Sequence, residues 1–256
     1  MSMALEIDST VNFKLGRGNF FGMTHTGCKR EENQDAFRID ASGCLFAVAD
    51  GIGGKEGGKL AAELSIRAVT NLILRAVGDP SSLMSEALCR VSKNINELRR
   101  ETIKYRGMGS TVAVALLKSG RLYLAHAGDS RAYLLRDGRI VQLTLDHSVA
   151  EELARAGAIS KAQARRHPMR HNLTRHMGQS DLVPSLSDLE LKKGDLLLLA
   201  TDGLYGEVDD LKIEQVMTSA SSVKECCETL VQEALDQGAR DNVTVVVVDC
   251  TDGNNT

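Results

Sequence analysis

Several things are missing from this sequence, and each absence removes a class of protein. There is no excess of charge of either sign: 31 Lys and Arg stand against 34 Asp and Glu, a formal net charge of -3. No basic surplus exists to hold nucleic acid or anionic lipid, so neither nucleic acid nor membrane is expected as a partner. None of the six cysteines (Cys28, Cys44, Cys89, Cys226, Cys227, Cys250) has a neighbour at C-x-x-C spacing, which argues against a zinc knuckle or a thioredoxin-like redox site and reads as reduced core thiols. No apolar run approaches the roughly 18 residues of a membrane span, and Met1 to Phe20, with Glu6 and Asp8, lacks the apolar stretch of a secretory leader. A cytoplasmic protein is expected. Prolines are scarce, with only Pro80, Pro168 and Pro184, and neither a linker-like composition nor a fixed-period repeat divides the chain, so we read one domain. The P-loop pattern G-x-x-x-x-G-K-[ST] is absent, and Ser130 and Ser148 show no His/Asp partner pattern of a nucleophilic serine.

What is present is ordinary globular composition: 256 residues, 43% hydrophobic and 25% charged. A chain of this length buries roughly 70–75% of its unfolded surface, enough to stand without disulfide or metal staples. Cys44 to Ala49 is a short apolar run halted by Asp50-Gly51, as at the end of a buried strand. Glu56 to Val77 and Ser82 to Tyr105 carry apolar residues at i/i+4 spacing and read as two amphipathic helices. Thr111 to Leu117, Arg121 to Ala127, Arg131 to Leu135 and Ile140 to Thr144 are four strand-like runs parted by turn residues, read as an antiparallel meander. Val149 to Ala156 reads as helical. Gly157 to Glu190 is polar, rich in His and Arg, and expected to be an irregular surface flap. Asp195 to Thr201 and Val243 to Asp249 are buried-strand runs, with amphipathic helices at Leu211 to Met217 and Val223 to Leu235 between them. This order of elements predicts an α+β sandwich, sheets packed face to face with helices outside.

Aspartates gather at the ends of these runs, in Asp50-Gly51, Gly128-Asp129, Asp202-Gly203 and Asp241-Asn242. One Asp-Gly after a strand is usually a turn former, and Asp137-Gly138 and Asp252-Gly253 are read that way. Several carboxylates brought to one sheet edge would repel one another unless cations neutralise them. An all-oxygen donor set favours Mg²⁺ or Mn²⁺ over Zn²⁺. Two such ions about 3.5–4 Å apart suit in-line displacement at phosphorus, so phosphate-ester hydrolysis is the chemistry implied.

The motifs Thr26-Gly27-Cys28-Lys29-Arg30-Glu31-Glu32-Asn33-Gln34-Asp35, Ala49-Asp50-Gly51-Ile52-Gly53-Gly54, Gly107-Met108-Gly109-Ser110-Thr111, Ala127-Gly128-Asp129-Ser130-Arg131, Asp146-His147-Ser148, Ala200-Thr201-Asp202-Gly203-Leu204 and Arg240-Asp241-Asn242-Val243-Thr244 follow one another along the chain. In that order they resemble the metal-dependent serine/threonine protein phosphatases of the type 2C, or PPM, family in their compact bacterial form, from about Gly22 to Asp249. The resemblance implies a four-layer α-β-β-α sandwich with two central, mainly antiparallel sheets. It implies a phosphatase domain at 20–250 with a flap at about 146–190, an N-terminal extension at 1–19 and a C-terminal tail at 251–256. The reaction implied is hydrolysis of phosphoserine and phosphothreonine in proteins by a metal-bridging hydroxide attacking phosphorus in line. Asp50 would bridge two core ions, Gly51 would add its carbonyl to one, and Asp202 and Asp241 would complete the other. Gln34 and Asp35 would act through metal-bound waters, and Asp129, sharing Asp202, would hold a third ion. Arg30 would clamp the phosphate. Mn²⁺ or Mg²⁺ is the cofactor implied, phosphorylated proteins and a cognate Ser/Thr kinase are the partners, and a monomer is expected.

One position departs from the pattern of animal members, which place a proton-donating His after the Asp-Gly pair. Ile52 stands there and cannot donate, so water is expected to protonate the leaving alkoxide. His167 and His171 are spaced i, i+4, but Pro168 between them and the surrounding Arg165, Arg166, Arg170 and Arg175 argue against a cation site and for a basic flap that meets acidic, phosphorylated segments. His126 and His147 are read as structural. Two alternatives stay open from the residues: a small-molecule phosphate-ester hydrolase using the same ions, and a catalytically silent binding module, against which the intact Asp50, Asp202 and Asp241 speak.

Overall fold

The structure, a computed structural model, describes residues 10–15, 18–40, 42 and 44–250. Residues 1–9 of the expected N-terminal extension and the expected tail at 251–256 lie outside the described residues. Two sheets pack face to face. The six-stranded sheet joins β1 (Thr10–Leu15), β2 (Gly18–His25), β9 (Arg131–Arg136), β10 (Arg139–Gln142), β12 (Leu196–Ala200) and β13 (Val243–Asp249) in the order β1-β2-β13-β12-β9-β10. The five-stranded sheet joins β3 (Ala36–Asp40), β4 (Leu45–Ala49), β7 (Val112–Lys118), β8 (Arg121–Ala127) and β11 (Ser185–Glu190) in the order β11-β8-β7-β4-β3. Every pairing within them is antiparallel. A two-stranded pair, β5 (Gly51–Ile52) with β6 (Gly109–Ser110), sits beside them.

Strand periodicity sorts the apolar side chains into three layers. In β4, Leu45, Ala47 and Ala49 face the helices while Phe46 and Val48 face the other sheet. In β13, Val243, Val245 and Val247 face helices and Val246 and Val248 face inward. Both faces of these strands are covered, which is why they read as unbroken apolar runs. Helices α1 (Lys55–Arg75) and α2 (Pro80–Glu101) cover the five-stranded sheet, and α6 (Asp210–Ser219) and α7 (Val223–Asp236) cover the six-stranded one. The buried stripe of α1 is Ala62, Ile66, Val69 and Ile73, with Leu60, Leu64, Ala68 and Leu72 only partly buried. The stripe is wide because α1 packs on both α2 and the sheet. Asp79 starts α2 by accepting from the Ser82 amide at 2.9 Å, with Pro80 preset in the first turn.

The expected four-strand meander is corrected. Ser119-Gly120 and Asp137-Gly138 close β7/β8 and β9/β10 as hairpins, all four residues at positive φ. The middle connection, Gly128-Asp129-Ser130, instead crosses from one sheet to the other, because Gly128 at φ 106 turns the chain away from its own sheet. Within the expected flap, α3 (Val149–Arg155) and a short α4 (Lys161–Ala164) precede β11, so Ser185–Glu190 is a sheet-edge strand rather than irregular chain. The strands β1, β2 and β3 fall where no strand is expected from the sequence. No helix among the described residues is long and apolar enough to cross a membrane, and all six cysteines are free thiols.

At the end of the sandwich away from the aspartate motifs, Asp195 ties three segments together. Arg136 donates to both its oxygens at 2.8 and 2.6 Å, the Lys192 amide donates at 2.7 Å, and the Asp195 carbonyl accepts from the Cys250 amide at 2.9 Å. Burial pushes the Asp195 carboxyl up, but the guanidinium and the amide outweigh it and hold it below the usual carboxylate range. A lowered folded-state pKa gives stability that is present above the unfolded value of about 3.9 and is lost as pH falls through the folded value. Asp195→Asn is expected to cost about 2 kcal/mol in urea unfolding at neutral pH, with the gap to wild type closing below about pH 4.

Candidate metal centre

Antiparallel pairing puts the end of one strand beside the start of the next, so chain segments far apart in sequence meet at one edge of the sandwich. Asp50 follows β4, Asp129 follows β8, Asp202 follows β12 and opens the short helix α5 (Asp202–Tyr205), and Asp241 precedes β13. Asp35 precedes β3, and Arg30 lies in the loop between β2 and β3. Around the meeting point is a cavity of about 1010 Å³ lined by Arg30, Gln34, Asp50, Gly51, Asp129, Asp202 and Asp241, with Ile52, His171 and His176 also on its wall.

Uncharged groups fix these segments. Asn242, only 4% exposed, accepts from the Gln34 amide at 2.8 Å and donates to the carbonyls of Thr26 and Glu32 at 2.8 and 3.0 Å. One amide side chain thereby holds the Arg30 loop against the Asp241 loop. Asp50 exchanges bonds with Thr111, its amide donating to Oγ1 and its carbonyl accepting from the Thr111 amide, both at 2.8 Å. Asp35 Oδ2 accepts from the hydroxyls of Thr201 and Thr244 at 2.8 and 2.7 Å. The Asp129 carbonyl accepts from the Tyr205 hydroxyl at 2.8 Å, and Arg131, fixed by Asp146, lies 3.6 Å over the Tyr205 ring. Two close approaches need glycine: a Cβ on Gly51 would lie 2.3 Å from the Gly58 carbonyl oxygen, and one on Gly203 would lie 1.9 Å from that of Asn242.

Burial and mutual repulsion together disfavour the charged form of these carboxylates. Burial pushes the Asp35 carboxyl up to about 7, against the pull of its two threonine hydroxyls, and Asp202 and Asp241 add to the rise. Burial also raises Asp50 well above the usual range, reinforced by Asp35, Asp202, Asp129 and Asp241. Asp129 is raised likewise, by burial and then by Asp202 and Asp146. Oδ1 of Asp35 and Oδ1 of Asp202 are buried without a hydrogen-bond partner. Crowded carboxylates with unspent oxygens are a donor set suited to hard divalent cations, so the residues present fit Mn²⁺ or Mg²⁺.

The aspartates, Gly51, Gln34 and Arg30 thus share one edge of the fold, although Asp35 sits behind the cavity wall and the Gln34 side chain donates to the Gly54 carbonyl at 3.2 Å. Arg30 does not turn to Glu31 or Glu32; its Nη2 donates to Asp241 Oδ2 at 2.6 Å. His171, expected from its basic sequence neighbours to lie away from any cation site, stands at this one: its Nδ1 is 3.3 Å from Asp202 Oδ2, and Asp129, His171 and Asp202 offer ligand atoms all within 4.8 Å of one another. The flanking arginines hid it, because Arg165 turns away to pair with Asp210 and Arg175 donates to the Val183 carbonyl. Tyr205, which supports Asp129, carried no signal beyond its place just after the Asp202 motif. His126 and His147 are buried and stacked, ring centroids 4.5 Å apart.

The sequence and the fold both match known proteins. The family model for protein phosphatase 2C matches residues 13–243. Protein phosphatase PhpP of Streptococcus pneumoniae is 33% identical over 234 residues, covering 88% of this chain and 95% of PhpP. The crystal structure of the Mycobacterium tuberculosis serine/threonine phosphatase PstP/Ppp superposes with a TM-score of 0.85 at 34% identity, covering 91% of this chain and 98% of that one. The PstP catalytic domain in complex with two manganese ions superposes with a TM-score of 0.82 at 33% identity, covering 91% and 97%.

Two outcomes are expected from this arrangement. Asn242→Ala leaves three part-buried backbone groups unpaired and is expected to cost about 2 kcal/mol in denaturant unfolding and to weaken metal binding with it. Adding Mn²⁺ to chelator-treated protein is expected to release protons into weakly buffered solution and to stabilise the fold by about 2.7 kcal/mol at a hundredfold excess over Kd, read as a rise in Tm.

Proposed function

This chain belongs to the protein phosphatase 2C family, and we propose how its own residues carry out that family's reaction, the metal-dependent hydrolysis of phosphoserine and phosphothreonine in proteins. Asp50, Asp202 and Asp241 hold the core ions, with the Gly51 carbonyl as a further donor. Asp35 and Gln34 act from behind, through water. Asp129 and Asp202 hold a third ion at the flap side. The observation that carries this reading is the convergence of five aspartates, three of them pushed toward the protonated form by burial and mutual repulsion. Bound Mn²⁺ or Mg²⁺ supplies positive charge against the phosphate oxygens and a water acidified enough to attack phosphorus at neutral pH.

The remaining work belongs to the chain. Arg30, its side chain 55% exposed at the cavity mouth, presents a planar fork that pairs with two phosphate oxygens when it releases Asp241. Exchange of one anionic partner for another keeps the guanidinium neutralised before and after substrate enters. Ile52, 36% exposed beside Asp50, offers no proton, so the departing alkoxide takes its proton from solvent in the cavity. The His176 ring, on the cavity wall, is oriented by the bond of its Nδ1 to the Met177 carbonyl at 2.8 Å. A cytoplasmic location, where thiols stay reduced, fits the six free cysteines. The partners we infer are phosphorylated proteins and the Ser/Thr kinase whose product they are, with the chain acting as a monomer.

The test is phosphate release from a phosphothreonine peptide with Mn²⁺, with Mg²⁺ and with chelator, run beside Asp202→Asn and Arg30→Ala. Wild type is expected to turn over only with metal. Asp202→Asn is expected to lose at least about 100-fold in kcat, and Arg30→Ala to lose tens-fold in kcat/KM, about 2 kcal/mol, mainly through KM. Folded, metal-binding wild type without turnover would instead favour a catalytically silent binding module.

A further inference from the structure

The end of α2 carries a feature that the hydrolysis does not use. Arg99 and Arg100 in its last turn, and Arg106 after the single turn Ile103–Tyr105 that follows, line one surface pocket of about 500 Å³ together with Gly107. Cations in a last turn complement the open carbonyls of a helix, which accounts for Arg99 and Arg100. It does not account for Arg106, which lies past the helix and faces the same pocket. Among the described residues none of the three forms an ion pair, whereas Arg30, Arg121, Arg131, Arg136, Arg165 and Arg240 each do. Three guanidiniums turned to one pocket repel one another until an anion enters.

The pocket also stands next to the reaction site. Gly107 lies in its wall, and a Cβ on Gly53 would come within 2.3 Å of the Gly107 carbonyl oxygen, so the two backbones touch. Gly53 in turn lines the metal cavity. Pocket and cavity are therefore on two sides of one backbone contact. An extended peptide whose reacting residue sits in the cavity crosses that contact in about three to five residues at roughly 3.4 Å each.

We propose that Arg99, Arg100 and Arg106 form a docking subsite for a second phosphorylated residue of the same substrate segment, which makes doubly phosphorylated segments the preferred substrates. The proposal rests on the phosphatase reading above. Phosphate suits the pocket better than a carboxylate does, since it brings close to two negative charges and three acceptor oxygens to planar forks that bind bidentately. The subsite acts on binding and leaves the chemical step alone, so its signature lies in KM.

The test uses the full chain with Mn²⁺ and peptides of one sequence. These carry phosphothreonine alone, phosphothreonine with a phosphoserine three to five residues away on either side, or glutamate in the phosphoserine position. Wild type is expected to show a KM about fivefold lower for one of the doubly phosphorylated peptides than for the singly phosphorylated one, with glutamate between them. The triple variant R99A/R100A/R106A is expected to lose that difference while keeping kcat, its KM for the singly phosphorylated peptide and its rate on an aryl phosphate too small to reach the pocket. Fluorescence anisotropy of the doubly modified peptide with a non-hydrolysable phosphonate at the reacting residue gives a second reading, expected to weaken about fivefold in the variant and with added salt. Equal KM values in wild type, or a preference retained by the triple variant, would overturn the proposal. Absence of all turnover, aryl phosphate included, would count against the phosphatase reading alone, and the anisotropy difference would still decide the subsite.

Discussion

Repulsion among buried carboxylates is the constraint around which this molecule is built. Asp35, Asp50, Asp129, Asp202 and Asp241 would drive the sandwich edge apart if all were ionised without a counter-charge, and burial makes the charges of Asp35, Asp50 and Asp129 the hardest to shield. The fold can hold them because the groups that fix the site are not themselves charged: Asn242, Thr111 and Tyr205 hold backbone, and Thr201 and Thr244 hold one oxygen of Asp35 while leaving the other open. A scaffold of salt bridges at the same place would neutralise the very oxygens that the cations need. Arg30 departs from that rule, and it does so from an exposed position where its partner can be exchanged.

The apolar layers explain why the strain can be tolerated. Three cores, one between the sheets and one under each helical pair, lie behind the carboxylate edge, and each central strand is buried on both faces. Burying a single Val or Leu contributes roughly 1.5–3 kcal/mol. The strands therefore act as rigid arms whose ends are positioned by packing far from the site. Loops alone would not place four like charges around one cavity with a fifth behind its wall; strand ends anchored in valine and leucine do.

How much of this was legible follows from which signals are local. The buried strands and long helices show as runs and periodicities, and β8 and β13 begin and end where the sequence places them, at Arg121 and Ala127 and at Val243 and Asp249. The Gly128-Asp129-Ser130 connection was misread as a hairpin turn because a hairpin and a sheet-to-sheet crossing use the same residues; only the partner strand, remote in sequence, distinguishes them. The outer strand β11 alternates weakly, having one face to solvent and an unpaired edge, and so its sequence resembles a loop. The aspartates were legible because chemistry restricts what can stand there. His171 was not, since its neighbours in sequence are arginines and its neighbours in space are Asp129 and Asp202.

The same contrast separates reaction from recognition. A site that neutralises a phosphate with metal ions and one arginine reads the phosphate and little of the chain behind it. A cavity of about 1010 Å³ with an apolar Ile52 on its wall is far wider than one phosphate and adds little further selection. Discrimination among phosphorylated proteins must then come from the rim, where the flap brings His171 and His176 on one side and the loop after α2 approaches Gly53 on the other. His171 ties the flap to Asp202, whereas the loop after α2 meets the cavity through its backbone contact at Gly53. Reaction chemistry is fixed by the strand ends, and substrate choice is carried by the elements between them.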